Sequence, residues 1–333
     1  MTAQPAGIGQ RPAPTTMRAA VIQSPQRISV EEVALPQPST HQVRVRVEGC
    51  GVCASNLPLW EGREWFSYPM KAGAPGHEAW GVVDAVGDGV SHVTVGERVA
   101  MLSYNAYAEY DIAEATAVVK LPDALSGQVF PGEPLGCAMN VFARSHIEPD
   151  QTVAIVGVGF LGAIITRLAT NLGARVIAIS RRPFALDVAR AMGADKVIAM
   201  DDHYAIIRQV KNLTDGKGCE RVVEAVGLQW PLDLAAELTA ERGRLVIAGY
   251  HQDGLRQVNM QLWNWRGLDV VNAHERDPQV YVAGIRAAVD AVVSGRLDPS
   301  PLYTHRFRLD QLADALDAMR ERPDGFMKAL ITI

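Results

Sequence analysis

Cysteine is scarce. The 333 residues contain four, Cys50, Cys53, Cys137 and Cys219. That is too few for a disulfide framework at this length, and the scarcity suits a reducing cytoplasm, the expected location. Long apolar runs are also missing. None reaches the roughly 18 residues that a membrane-spanning helix needs, and the N-terminus lacks the charged-then-apolar order of a secretory signal. Charge of one sign is not in large excess: the net value is −5. This gives no electrostatic reason to expect nucleic acid or an anionic membrane as partner. No repeat occurs at solenoid spacing, and low complexity is confined to residues 1–16, whose Pro, Gly, Ala, Gln and Thr read as a disordered tail. What remains is an ordinary globular composition, long enough for two domains with cores of their own.

The first stretch, from about Met17 to Phe142, reads as mostly β. Met17–Gln23 and Ile28–Val33 are β-rich, and His41–Glu48 alternates Val43, Val45 and Val47 against Arg44, Arg46 and Glu48. Trp80–Val86, Arg98–Leu102 and Tyr107–Ile112 continue the strand pattern, and Glu133–Ser145 has helical character. The period then changes. Strands are expected at Thr152–Val156, Arg175–Ser180, Lys196–Ala199, Arg221–Glu224 and Arg244–Ala248. Helices are expected at Phe160–Leu172, Phe184–Met192, Ala205–Leu213 and Leu232–Leu238. Such β-α alternation predicts a parallel sheet covered on both faces, so the fold class is α/β. Val280–Ser294 is a long amphipathic helix, and Arg306–Arg308 and Met327–Ile333 read as strands returning to the first domain.

Gly157-Val158-Gly159-Phe160-Leu161-Gly162 fits G-x-G-x-x-G between an apolar strand and a helix, the context the pattern requires. Gly157 permits the tight turn, Gly159 lets the backbone approach a diphosphate, and Gly162 lets helix and strand pack closely. The end of the second strand selects the dinucleotide. An NAD site usually places Asp or Glu there for the ribose 2′-OH. This chain has Ser180-Arg181-Arg182, with no carboxylate to repel a 2′-phosphate and two guanidiniums to bind it. NADP(H) is therefore favoured over NAD(H).

Ahead of the glycines stand Gly51-Val52-Cys53-Ala54-Ser55-Asn56, Gly76-His77-Glu78 and Glu133-Pro134-Leu135-Gly136-Cys137. Thiol, imidazole and carboxylate are ligand types for Zn²⁺, and a catalytic zinc takes three protein ligands and keeps one position open. Cys53, His77 and either Glu133 or Cys137 are the candidates. A metal held there would act as a Lewis acid toward a substrate oxygen. Ser55 is placed to accept the alcohol proton, and Glu78 and Asn56 are candidates to orient His77 or adjust the metal's charge.

These segments, with Met17-Arg18-Ala19-Ala20, Val86-Gly87, Gly96-Glu97-Arg98-Val99 and Met192-Gly193-Ala194-Asp195, give a chain that resembles the zinc-dependent medium-chain alcohol and polyol dehydrogenases from Met17 to Ile333. The resemblance implies a GroES-like, mainly-β catalytic domain over residues 17–142 with 283–333. It also implies a Rossmann domain over 143–282 and a cleft for zinc and nicotinamide between them. By that resemblance Cys53 and His77 match the first two zinc ligands, Ser55 the relay hydroxyl and Glu78 a conditional carboxylate ligand. Polyol-type members use the Glu of Glu-Pro, which favours Glu133 as third ligand over Cys137. Three departures stand out. The lobe of four close cysteines that binds a structural zinc in many members is missing, so one catalytic zinc and no structural zinc is expected. Asn56 stands where an Asp is frequent, and Pro58 where a His is frequent, so the proton path would rely on Ser55, water or the cofactor ribose.

The expected activity is hydride transfer between a secondary alcohol or polyol, or its ketone, and NADP(H). A zinc-free quinone or enoyl reductase of the same fold is the alternative, as is an NADPH-binding protein without chemistry. The first predicts loss of a ligand set that remains; the second leaves that set without a role. Trp60, Trp65, Phe66, Tyr68 and Trp80 cluster around the ligand motifs and read equally as pocket wall or core. Trp263 and Trp265 lie in a later region that faces either the cleft or a subunit contact. Family members usually pair through a Rossmann sheet edge, so a homodimer or homotetramer is expected, with the stretch near Trp263–Ala273 as candidate edge.

Overall fold

The computed structural model describes residues 14–333. The tail expected over residues 1–16 lies outside the described residues except for its last three, and there the expectation fails. Thr16 opens the first strand, and the Thr15 carbonyl accepts a hydrogen bond from the Leu35 amide at 2.9 Å.

Strands β1 (Thr16–Ser24) and β2 (Arg27–Ala34) form an antiparallel hairpin. Then come β3 (Gln42–Gly51), the short helix α1 (Leu57–Trp60), β4 (Glu78–Val86), β5 (Arg98–Met101), β6 (Tyr110–Glu114) and β7 (Val118–Lys120). Val43, Val45 and Val47 of β3 point into the core as their alternation predicts. Arg44 is buried as well, because its guanidinium closes a two-bond pair with Asp84 at 2.8 and 3.0 Å and donates to the Pro36 carbonyl. The strand expected from Tyr107 begins at Tyr110, since the Tyr107 amide is bonded to the Gly73 carbonyl and its own carbonyl to the Ala20 amide.

Helix α2 (Gly132–Ser145) leads into a β-α alternation: β8 (Thr152–Val156), α3 (Phe160–Leu172), β9 (Arg175–Ser180), α4 (Pro183–Ala191), β10 (Lys196–Ala199), α5 (His203–Leu213), β11 (Cys219–Glu224), α6 (Gln229–Leu238), β12 (Thr239–Ile247), α7 (Met260–Arg266) and β13 (Asp269–Asn272). The six strands are parallel, in the order β10-β9-β8-β11-β12-β13. Strand β8 shows how both faces are filled. Val153 and Ile155 pack with Ile165 and Ala169 of α3, whereas Ala154 and Val156 pack with Ile206 of α5 and Leu234 of α6. The strand order reverses between β8 and β11, which is where doubly wound folds bind ligands.

The chain then runs through α8 (Pro278–Val293), β14 (His305–Arg308), α9 (Leu312–Glu321) and β15 (Ala329–Thr332). Both late strands join the first sheet, whose order is β14-β15-β3-β4-β5-β7 with β6 also on β3. β15 runs antiparallel to β3, with Leu330 opposite Gly51. A third apolar cluster lies between the lobes, where Trp80 and Leu330 meet Leu135 of α2, Ile285 of α8 and Ile164 of α3. The architecture is thus the expected α/β one, a mainly-β lobe beside a doubly wound parallel sheet. Among the described residues no helix is long and apolar enough to cross a membrane.

Candidate active site

Two pieces of sheet geometry assemble the site. The antiparallel register of β3 and β4 sets Gly51 opposite Glu78, so the chain leaving β3 carries Cys53 past the start of β4, where His77 and Glu78 stand. β15 on the other side of β3 brings Lys328 to the same place: its Nζ donates to the Val52 carbonyl at 3.0 Å and to Glu78 Oε1 at 2.6 Å. The donor atoms of Cys53, His77 and Glu78 lie within 4.8 Å of one another.

Backbone groups fix the orientation of His77. Its Nδ1 donates to the Pro75 carbonyl at 2.8 Å, which leaves Nε2 as the acceptor or ligand nitrogen. Asn56 acts on the same carbonyl, donating from Nδ2 at 3.4 Å, while its Oδ1 accepts from the Cys53 amide at 3.3 Å and from the Tyr107 hydroxyl at 3.2 Å. Asn56 therefore positions His77 through Pro75 rather than by contact, and holds the Cys53 turn as well. Burial by itself would push the His77 imidazolium pKa down. The hydrogen-bonded Cys53 side chain and the charges of Glu133 and Glu78 outweigh it and push it up to about 10.

Glu78 is fully buried, and Lys328 is 4% exposed. Besides its bond to Oε1, Lys328 Nζ lies 2.5 Å from Oε2, but at an angle that leaves Oε2 without a hydrogen bond. A Cβ on Gly51 would lie 1.8 Å from Oε2, so only glycine leaves room for this carboxylate. Burial pushes the Lys328 ammonium down, and the Glu78 carboxylate more than reverses that.

Glu133 and Cys137, one turn apart on α2, face each other: the Cys137 thiol donates to Glu133 Oε1 at 3.2 Å. Burial, then the charge of Glu133, holds the Cys137 thiol well above its ordinary value. Burial likewise raises Glu133, with Glu78 adding to the effect and His77 opposing it. Glu133 thus feels the charges of His77 and, more weakly, Lys328 but, unlike Glu78, makes no ion pair of its own among the described residues. Among the described residues neither Glu133 nor Cys137 joins the compact donor set. Ser55 lies half-buried in the short turn after Cys53.

The aromatic expectation divides. Trp60 and Trp80 are 1% and 2% exposed and belong to the cores. Tyr68 is tied by its hydroxyl to the Leu59 carbonyl, and Trp65 is an exposed neighbour of Phe66. Trp263 packs under the parallel sheet, whereas Trp265 is 86% exposed. The ring that meets the site is one that composition did not single out: Tyr104, stacked on His77 with centroids 6.5 Å apart. Lys328 was missed as well, although a lone lysine in the apolar run Phe326–Ile333 is the kind of residue that signals a buried ion pair.

At the nucleotide end, Gly157 turns with φ 102°, and a Cβ on Gly162 would lie 2.1 Å from the Gly157 carbonyl oxygen. Gly159, which caps α3, faces open space where a diphosphate could approach the helix N-terminus. Phe160 and Leu161 form the first turn, half-buried. The Phe160 ring stacks on Tyr303 at 5.9 Å and lies 5.2 Å from Lys328 Nζ, so one lysine reaches both the carboxylate of the candidate donor set and the glycine loop. Ser180 is buried at the end of β9, Arg181 is exposed, and Arg182 donates to the Phe326 carbonyl at 2.5 Å. The donors fit a zinc ion, since the Cys53 thiol, the His77 imidazole and the Glu78 carboxylate converge and a buried oxygen of that carboxylate lacks a hydrogen bond. The glycine loop fits a dinucleotide diphosphate.

Residues 39–123 match the model of the alcohol dehydrogenase GroES-like domain, and residues 161–289 that of the zinc-binding dehydrogenase domain. The chain is 25% identical to sorbitol dehydrogenase of Bacillus subtilis (strain 168), over 96% of this chain and 98% of that one. Among solved structures it is similar to a short chain alcohol dehydrogenase from E. coli CFT073 complexed with NADH, with TM-score 0.83 and 25% identity over 96% of this chain and 100% of that one. It also shares the fold of a zinc-binding dehydrogenase from Sinorhizobium meliloti 1021 bound to NADP, with TM-score 0.80 and 23% identity over 96% of this chain and 100% of that one.

Proposed function

This chain belongs to the zinc-dependent medium-chain dehydrogenase/reductase family of oxidoreductases, and from that premise we propose that it moves a hydride between a secondary alcohol or polyol, or its ketone, and NADP(H). The observation that carries the reading is the convergence of Cys53, His77 and Glu78 within 4.8 Å beside the glycine loop. In this proposal Cys53, His77 and Glu133 hold one zinc. Glu78 stays paired with Lys328 as a reserve carboxylate, and Cys137 remains a neutral thiol donating to Glu133. The charge pattern supports that division: Glu78 already has its cation in an ion pair, whereas Glu133 makes none among the described residues. When bound, zinc supplies Lewis acidity toward the substrate oxygen and the nicotinamide supplies or accepts the hydride. The chain's own residues do the rest. His77 is oriented through Pro75, Ser55 takes the proton of the substrate hydroxyl, and Tyr104 stacked on His77 limits water.

The domain division, 17–142 with 283–333 against 143–282, is part of the proposal and is supported by the return of β14 and β15 to the first sheet. So are a cytoplasmic location and a homo-oligomer paired through β13, an edge strand of the parallel sheet. The polyol preference draws on Glu133 and on the sorbitol dehydrogenase likeness. The test is zinc content measured beside NADPH and NADH binding. About one zinc per chain, lost with activity in Cys53→Ser, supports the reading; turnover retained without metal rejects it. Replacing Arg181 and Arg182 by Ala should weaken NADPH far more than NADH, and equal loss would reject the 2′-phosphate assignment.

A further inference from the structure

Beyond the C-terminal end of β9, where the adenosine ribose lies in a doubly wound nucleotide fold, three guanidiniums gather from two distant stretches of chain. Arg181 and Arg182 directly follow Ser180. Arg322 comes from the other lobe. It terminates α9 in the left-handed conformation, φ 49° and ψ 63°, with its amide on the Ala318 carbonyl at 2.8 Å. The stretches are tied together by the hydrogen bond from Arg182 Nη1 to the carbonyl of Phe326, in the loop that Arg322 opens.

The charge gathered there is not balanced. Arginines near Arg322 in the chain have carboxylates, Arg320 with Asp317 and Glu321, Arg308 with Asp310. Among the described residues Arg181, Arg182 and Arg322 have none within ion-pair distance. The guanidiniums also oppose one another. Partial burial and then Arg322 hold Arg182 below the usual arginine range, and partial burial and then Arg181 do the same to Arg322. Uncompensated like charges drawn together from two lobes cost stability unless an anion neutralises them. Arg182 is already partly committed to a backbone carbonyl, so the pair after β9 cannot offer two free forks to a phosphate.

We propose that Arg322 joins Arg181 and Arg182 in a cationic clasp for the 2′-phosphate of NADP(H), so that this one group is held from both lobes at once. The inference rests on the NADP(H) reading above and extends it: the discriminating contact includes a residue that lies outside the nucleotide-binding sheet, more than a hundred residues downstream of its partners. A phosphate monoester with a charge near −2 and three acceptor oxygens can satisfy several guanidinium forks, which a ribose hydroxyl cannot. NADH would occupy the glycine loop without engaging Arg322.

The test is fluorescence titration of the full chain with NADPH and NADH at fixed ionic strength, with competition by adenosine 2′,5′-bisphosphate and 5′-AMP. Arg322→Asn removes the charge and tolerates the left-handed backbone; Arg322→Lys keeps the charge. Arg322→Asn should weaken NADPH and the 2′,5′-bisphosphate about tenfold or more, the scale of one charge-assisted contact. NADH and 5′-AMP should stay unchanged, and Arg322→Lys should recover most of the loss. If the wild type prefers NADPH but Arg322→Asn leaves NADPH binding intact, or lowers NADPH and NADH alike, the clasp is overturned while the NADP(H) reading survives on Arg181 and Arg182. If the wild type binds the 2′,5′-bisphosphate no better than 5′-AMP, the NADP(H) reading fails and the clasp fails with it.

Discussion

Lys328→Met is the most informative stability perturbation. Methionine keeps the apolar stem but removes the ammonium from between Glu78 and the Val52 carbonyl. The pair is as dry as this fold contains, with Glu78 at 0% and Lys328 at 4% exposure. Removing one partner of such a pair leaves a buried charge uncompensated, at a cost of about 3–5 kcal/mol. The carbonyl stripped of its donor is part of that loss. Glu78→Gln alone strands the ammonium instead. The double variant removes both charges together and should return to within about 1–2 kcal/mol of the wild type, because the coupling between contacting partners is non-additive. The assay is denaturant unfolding of metal-free, cofactor-free protein, so that ligand binding does not add its own stabilisation. Trp60 and Trp80, buried in the β lobe and between the lobes, report the transition by fluorescence. A single-variant loss below about 1 kcal/mol, or a double variant as unstable as the two singles summed, would refute the account of Glu78 as a charge neutralised by Lys328.

Three further outcomes are expected. Gly51→Ala drives a methyl to 1.8 Å from Glu78 Oε2; it should cost about 1–3 kcal/mol by overpacking and lower zinc occupancy, and a variant with normal metal content would show that the carboxylate has room to move. Cys219 is pushed up to about 12 from an ordinary 9.0, first by burial and then by Glu220. Since the folded state holds the proton more tightly, its contribution is full below pH 9 and is lost as pH rises toward 12. Cys219→Ala should therefore flatten the alkaline decline in melting temperature, and an unchanged slope would refute the assignment. Finally, light scattering at micromolar concentration should give a dimer or tetramer, and a charge placed on β13, as in Val271→Lys, should shift it toward monomer; a monomeric wild type would remove the edge-pairing proposal.

Much of this molecule was legible in its sequence, for physical reasons that differ between its parts. The alternation of Val43, Val45 and Val47 is a direct record of one buried face, and the apolar runs at Thr152–Val156 and Arg175–Ser180 record strands buried on both. The glycine loop could be read because each glycine answers a local steric demand, as Gly162 does against the Gly157 carbonyl. Helix α9 escaped notice because Leu312–Glu321 is short and polar on one face, and of the candidate edge near Trp263–Ala273 only the four residues of β13 are strand, a boundary set by pairing with β12. The site was half visible. Cys53, His77 and Glu78 are close in sequence to strand ends whose pairing could be guessed. Lys328, Tyr104 and Arg322 matter only through where tertiary folding delivers them, and no local pattern encodes that delivery.

That delivery has a consequence for how the molecule is made. Lys328 meets Glu78 across 250 residues of chain and Val52 across 276, and the Gly49–Gly51 end of β3, which β6 does not cover, stays open until β15 reaches it. Contacts of such sequence separation form slowly because the intervening loop must first close. During synthesis the first lobe therefore waits, with one sheet edge unpaired and its buried carboxylate unneutralised, while the parallel sheet between its two parts is completed. A product cut short before residue 328 would carry every proposed zinc ligand and the whole glycine loop, yet lack the cation that makes the site stable. In this fold the arrival of β15 beside β3, rather than the appearance of the proposed ligands, is what completes the candidate site.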